Sequence, residues 1–316
     1  MTAMSQPDAL TPEQIDQASV AEIKKGRLPL RAQWRIAEQR ARRDAGQSGS
    51  FTSDLTVQEF AAIRSVGFSP VGQVMGSAVY NVGLPTTGCG YFRTGGLYSN
   101  WVPASVAPMS QTQHLFHMAR RSAVARMVQE CEGLAGDGVV GVRLTVKSFY
   151  GNGLEFMAIG TAVRADGPSR PRVPFTSDLS GQDFAKLIRS GWVPVALVQG
   201  VGAMVRHNDW SMASQGSSWF NQEIHGSTTL VQAARDAARD SMAKDAQRVG
   251  GHTVILRDMV MEVHERRCLS GIEGEDHLAN AFLWGTAIVP FTNQQAHSPL
   301  TPLPMLRLDS RPKGSA

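Results

Sequence analysis

The chain says almost the same thing twice. Phe51-Thr52-Ser53-Asp54-Leu55 returns as Phe175-Thr176-Ser177-Asp178-Leu179, a constant 124 residues downstream. The match runs without a gap through Gln58/Gln182, Phe60/Phe184, Ala61/Ala185, Gly67/Gly191, Pro70/Pro194, Val71/Val195, Val74/Val198 and Gly76/Gly200, so that half of positions 51 to 76 are identical. Each copy then passes through an Ala-rich stretch and ends in Gly-Thr-Ala-(Val/Ile), at 160–163 and 285–288. Small duplicated units complete their cores against neighbours, so assembly is the first expectation and catalysis the second.

At 316 residues there is room for two domains of ordinary size with terminal extensions. A hydrophobic content of 42% with 18% charged residues fits a folded soluble protein. The net charge of +4 is modest, and the basic residues form no long stripe within the repeats, which argues against nucleic acid as the main partner. Three cysteines, Cys89, Cys131 and Cys268, are odd in number and widely spaced with no CxxC, which argues against a disulfide framework or structural zinc site. Residues 1–20 lack an apolar core and no run of 18 apolar residues occurs, so neither a signal peptide nor a membrane span is expected and a reducing cytoplasm fits.

Residues 1–50 read as a helical arm. Thr11-Pro12-Glu13-Gln14 is a helix start, with Thr as cap and Pro in the first turn. A break at Gly26 precedes a second helix over 29–45, with Leu30, Trp34 and Ala37 on one face among Arg31, Arg35, Arg40, Arg42 and Arg43. This face suits docking on a neighbouring subunit; an anionic membrane surface is the alternative, but the apolar stripe is short for it.

The first repeat spans 51–165, a linker 166–174, the second repeat 175–290 and a Pro-rich tail 291–316. Thr56 with Glu59, and Ser180 with Asp183, read as caps of short helices that bury Phe60 and Phe184 and stop at Gly67 and Gly191. Strands follow over 71–82 and 195–205, where Gly76 and Gly200 mark a bulge or a close backbone approach. A variable aromatic section leads to the main helices, 113–134 and 228–249. Phe116, Ala119, Ala123, Met127 and Cys131 recur at spacings of three and four in the first, and Val231, Ala234, Ala237, Ala238, Met242, Ala246 and Val249 stripe the second. A strand over 139–149, with Val140, Val142, Leu144 and Val146 on one buried face, turns at Tyr150-Gly151-Asn152-Gly153 into a returning strand. The second hairpin has a longer tip, 264–277. Each module is therefore helix, strand, helix, strand, strand, and its sheet has open edges.

The strand opening Pro70-Val71 with Val74-Met75-Gly76, the aromatic insert, the Ala-rich helix, then Gly136-Asp137-Gly138-Val139-Val140-Gly141-Val142-Arg143 and Gly160-Thr161-Ala162-Val163 resemble the YbjQ-like family, also labelled a heavy-metal-binding domain. The resemblance covers about 70–165 and, more loosely, 194–289, in the manner of tandem actinobacterial members. It implies an α+β fold of two YbjQ-like (dodecin-like) modules, each a small, mainly antiparallel sheet with one long helix and a short N-terminal helix. It also implies a pentameric ring with short strands joining neighbours, and no agreed catalytic residues.

His114 and His117 stand three apart at the start of the first main helix and could face one ion, with Cys89 from the preceding insert as a soft third ligand. The second hairpin gathers Glu262, His264, Glu265, Cys268, Glu273, Glu275, Asp276 and His277, a mixed ligand set or an exposed polar loop. Trp34, Tyr98, Trp101, Trp210, Trp219 and Phe220 suit subunit or partner contacts. No Gly-x-Ser-x-Gly, Walker A or His-Glu-x-x-His motif is present. The reading is a non-enzymatic, cytoplasmic scaffold without a cofactor, assembling with itself into a ring or shell, with a protein client or paralogue as further partner. The alternative is a heavy-metal-binding protein with a His/Cys site.

Overall fold

A computed structural model of the chain describes residues 10–46, 52–82, 92–93, 101–102, 106–151, 153–168, 170–268 and 274–291. The arm is two helices, α1 (Pro12–Lys24) and α2 (Leu30–Asp44). Thr11 and Gln14 close the capping box that starts α1. The first repeat contains α3 (Val57–Arg64), β1 (Phe68–Asn81), the two-residue strands β2 (Phe92–Arg93), β3 (Trp101–Val102) and β4 (Ala107–Pro108), then α4 (Ser110–Gly133), β5 (Gly138–Phe149) and β6 (Gly153–Ala165). The second contains β7 (Phe175–Thr176), α5 (Gly181–Arg189), β8 (Trp192–His207), α6 (Trp210–Gly216), α7 (His225–Arg248), β9 (Thr253–Arg267) and β10 (Glu275–Pro290). The fold is α+β, and each repeat is a small, mainly antiparallel sheet under one long helix.

Sheet one has the order β1-β6-β5-β7 and sheet two the order β4-β8-β10-β9. In each, the last strand of the repeat lies in the middle, where its apolar residues are covered on both sides. Helix α4 lies against β1 through the face expected for it, with Ala119, Ala123, Met127 and Cys131 fully buried. Contact is close because Gly76 has no side chain: a Cβ there would meet the Ala123 carbonyl oxygen at 2.0 Å. A Cβ at Gly200 would likewise come within 2.0 Å of the Ala238 carbonyl oxygen under α7. Both glycines serve close approach, whereas the bulges fall at Pro70/Gly72 and Ala287/Ile288. On its far side α4 meets the second sheet, where Phe116 packs 4.9 Å from the Phe282 ring while also lying 5.5 Å from Phe156 of sheet one. The main core therefore draws on both repeats.

Three expectations need correction. Phe60 is exposed while Phe184 is fully buried, although both hold one repeat position. In the arm, Leu28 and Ile36 are buried with Ala32 packed beside them, whereas of the expected face Leu30 and Trp34 are half-buried and Ala37 is exposed, because α2 packs on α4 of its own chain and its Arg35 pairs with buried Glu130 there. Val139 and Val140 are both buried and Val146 is exposed, because a bulge between Val140 and Arg143 breaks the alternation. The variable section of repeat two holds a short helix, α6, whose N-terminus is capped by Asp209 accepting the Met212 N–H at 2.9 Å.

Candidate assembly interface

The repeats exchange strands. β7, from the start of repeat two, adds to sheet one in parallel with β5, with Phe175 beside Gly138 and Thr176 beside Val139. The Phe175 N–H donates to the Asp137 carbonyl (3.1 Å), Ser177 N–H to Val139 (2.8 Å), Val142 N–H to Ser177 (2.9 Å) and Gly141 N–H to Leu179 (2.9 Å). Gly138 is needed here, since a Cβ would come within 2.3 Å of the Phe175 ring. In return β4 adds to sheet two, with Ala107 beside Val205 and Pro108 beside Met204, and the Met109 N–H continues the ladder to the Ala203 carbonyl at 2.8 Å.

Side chains anchor the exchanged segment to its own sheet and pack it against repeat one. The Thr286 hydroxyl donates to Asp178 Oδ1 and accepts the Asp178 N–H at 3.1 Å, while Ser177 Oγ lies 3.0 Å from it. Burial pushes the Asp178 carboxyl above its ordinary pKa. Phe184 is packed among Ile63, Val140 and Val163, with its ring 5.1 Å from Phe68 and 5.6 Å from Phe175. Helices α3 and α5 touch through Gln182 donating to Gln58 at 3.0 Å and Arg189 to Ser65 at 2.7 Å.

Two buried helix carboxylates repeat one design. Glu130 of α4 accepts the Met75 N–H at 2.9 Å, and Asp245 of α7 accepts the Gln199 N–H at 3.1 Å. The arginine that pairs with each comes from outside its module: Arg35 of the arm for Glu130, and Arg121 of the first repeat for Asp245 at 3.2 Å. Arg248 adds a second partner to Asp245.

The first copy of the repeated segment is less covered, although Arg143 pairs with its Asp54 and its Leu55 packs on the Ile63 cluster. Its Thr52 carbonyl accepts the Gln73 N–H at 2.7 Å, and its Asp54 N–H reaches Thr161 at 3.3 Å, as Asp178 reaches Thr286. Yet Thr52 and Asp54 are exposed, whereas Thr176, Ser177, Asp178 and Leu179 are all buried. β9, the counterpart of β5, is the terminal strand of sheet two among the described residues.

His117 lies within this interface. Its Nε2 is 2.7 Å from Ser241 Oγ and its Nδ1 is 3.1 Å from Gln199 Nε2, and burial lowers its pKa. His114 is exposed on α4, and Cys89 lies outside the described residues, as does Tyr98. For Trp101 only the backbone, in β3, is described. Trp34 is half-buried in α2, while Trp210, Trp219 and Phe220 stand out into solvent around α6. Of the second hairpin's polar residues, Cys268 and Asp276 meet at its tip together with His207, which reading the sequence left out. Thr286, which anchors the exchanged segment to its own sheet, was legible only as a repeat identity, whereas the burial of Phe184 was expected. Among the described residues, no helix is long and apolar enough to cross a membrane.

Residues 107–166 match a family model described as YbjQ_1, "Putative heavy-metal-binding". The chain is 38% identical over 226 residues, 65% of this chain and 76% of the relative, to a Mycobacterium tuberculosis protein named "Encapsulin nanocompartment protein Rv1762c". It is 50% identical to a UPF0145 protein of Halorubrum lacusprofundi and 44% identical to one of Vibrio campbellii, each over 46 residues, which is 15% of this chain and 44% of the relative. No solved structure matches the chain. With the duplicated module, the exchanged strands and a long relative in agreement, the chain belongs to the tandem YbjQ-like family.

Proposed function

We propose that this chain is a non-enzymatic structural protein that assembles with copies of itself into a closed ring or shell-like homo-oligomer. One observation carries the reading. Thr176, Ser177, Asp178 and Leu179 are buried beside β5 of repeat one, whereas their counterparts Thr52 and Asp54 are exposed and Ser53 and Leu55 half-buried, with no strand added to them among the described residues. Identical sequence in unequal environments leaves one chain with a partly exposed segment at one end and, among the described residues, an unpaired strand edge, β9, at the other. These ends are complementary, because the contact inside the chain is their template. A head-to-tail contact of this kind closes into a ring when its rotation closes. Bare strand edges are otherwise an aggregation liability, so their use in a specific contact is the economical reading.

The template is not copied atom for atom. Thr253 stands where Gly138 does, and a side chain at that position leaves no room for a ring seated as the Phe175 ring is. Pentameric symmetry is the arrangement the family resemblance favours. Similarity to a protein named for an encapsulin nanocompartment supports an assembly role and makes a shell protein, a client or a paralogue the natural further partner, in the cytoplasm. Size-exclusion chromatography with light scattering tests the reading. A single oligomer several chains in mass supports it, and a monodisperse monomer at micromolar concentration removes it.

A further inference from the structure

Three side chains of metal-ligating type converge at the far end of sheet two: His207 closing β8, Cys268 following β9, and Asp276 opening β10. One ligand atom from each lies within 4.8 Å of the other two. The strands deliver them together. β8 and β10 stay paired as far as His207 beside Asp276, and β9 and β10 as far as Arg267 beside Glu275. The tip closes with the Cys268 N–H donating to the Gly274 carbonyl at 3.2 Å and Asn208 N–H to Glu275 at 2.8 Å.

Two observations point to an ion. His207 and Asp276 are buried and joined by a hydrogen bond between His207 Nδ1 and Asp276 Oδ1 at 3.0 Å, an arrangement in which an ion ~2 Å from each atom would replace the shared proton. The other carboxylate oxygen, Oδ2, is buried and forms an ion pair with Arg266 Nε at 3.4 Å, without a well-aligned hydrogen bond among the described residues. Second, Gly274 sits at a φ of +123°, and a Cβ there would come 3.0 Å from His207 Nε2, so only glycine lets the tip fold over the imidazole and bring Cys268 in. An imidazole nitrogen, a thiolate sulfur and a carboxylate oxygen suit zinc-type divalent ions and not magnesium or calcium. A dication with two anionic ligands beside one arginine leaves a small local charge.

We infer that His207, Cys268 and Asp276 form a binding site for a zinc-type divalent cation. The site is confined to repeat two: the first hairpin turns at Tyr150, before any counterpart of Cys268 could occur. It also lies outside residues 107–166, so the family description does not cover it. It does not depend on the assembly reading.

The test is Co²⁺ and Zn²⁺ binding to the full chain purified without a histidine tag. One equivalent per chain with a thiolate-to-cobalt charge-transfer band is expected. Cys268→Ser should remove the band and weaken binding by at least about 100-fold, more than the loss of an outer-sphere partner. His117→Ala and Cys89→Ser should change neither. Alkylation of wild-type Cys268, read by mass spectrometry, should slow when Zn²⁺ is added, a readout that needs no variant. A wild-type chain that takes up no cobalt at micromolar metal overturns the assignment. So does a band that survives Cys268→Ser, or alkylation that Zn²⁺ leaves unchanged.

Discussion

Phe60 and Phe184 hold one repeat position and allow a matched experiment. Phe184 is fully buried between the repeats, and Phe60 is 40% exposed. Phe184→Ala removes a complete core side chain and should lower the unfolding free energy by about 3–5 kcal/mol. Phe60→Ala should cost the isolated chain much less. If a second chain covers Phe60 as repeat one covers Phe184, the exposed 40% of a side chain of roughly 200 Å² becomes buried, which is about 80 Å². At ~25 cal/mol per Å² that contributes about 2 kcal/mol per contact, or roughly a 30-fold change in the association constant. Denaturant titration of dilute chain reads the first effect, and mass photometry across a dilution series reads the second. The reasoning fails if Phe60→Ala leaves the dilution midpoint where it was.

Three further outcomes follow from the same geometry. Burial raises the Asp178 pKa above its ordinary 3.8, so between the unfolded and folded values the folded chain holds a proton that the unfolded chain has lost, and stability falls as pH rises there. Asp178→Asn should therefore match the wild type well below pH 3.8 and gain melting temperature over it towards neutrality; a loss at neutral pH would contradict this. Gly76→Ala would place a methyl group 2.0 Å from the Ala123 carbonyl oxygen and should destabilise by about 2–3 kcal/mol, measured by denaturant unfolding. Arg35→Ala leaves buried Glu130 with the Met75 N–H alone; because Arg35 is partly exposed the loss should be only about 1–2 kcal/mol, but limited proteolysis should then release the arm first.

Much of the fold was legible because local pattern and tertiary role agree. The spacing of Phe116, Ala119, Ala123, Met127 and Cys131 gave the buried face of α4, and Gly67 and Gly191 adopt the positive φ expected at the ends of α3 and α5. The exchange of β4 and β7 was not legible in detail, since two-residue strands carry no periodicity and their pairing is decided by the neighbouring repeat. Phe60 and Phe184 make the same point: equal local sequence cannot reveal which copy has a neighbour. In α2 the many arginines obscured the face, which the pairing of Arg35 with Glu130 sets. His207 escaped notice as a ligand because it lies 69 residues before Asp276 and meets it only through strand pairing.

The head-to-tail contact itself is most directly tested with cysteine pairs in a chain whose native Cys89, Cys131 and Cys268 have been replaced. Val139→Cys with Thr176→Cys reports the contact within one chain, since these positions are neighbours in the parallel ladder. Thr52→Cys with Val254→Cys occupies the equivalent positions between chains. Mild oxidation should give a compact monomer from the first pair and a covalent ladder ending at one closed oligomer from the second. A second pair that stays monomeric, under conditions where the first closes fully, would contradict the proposal that copies join through these edges.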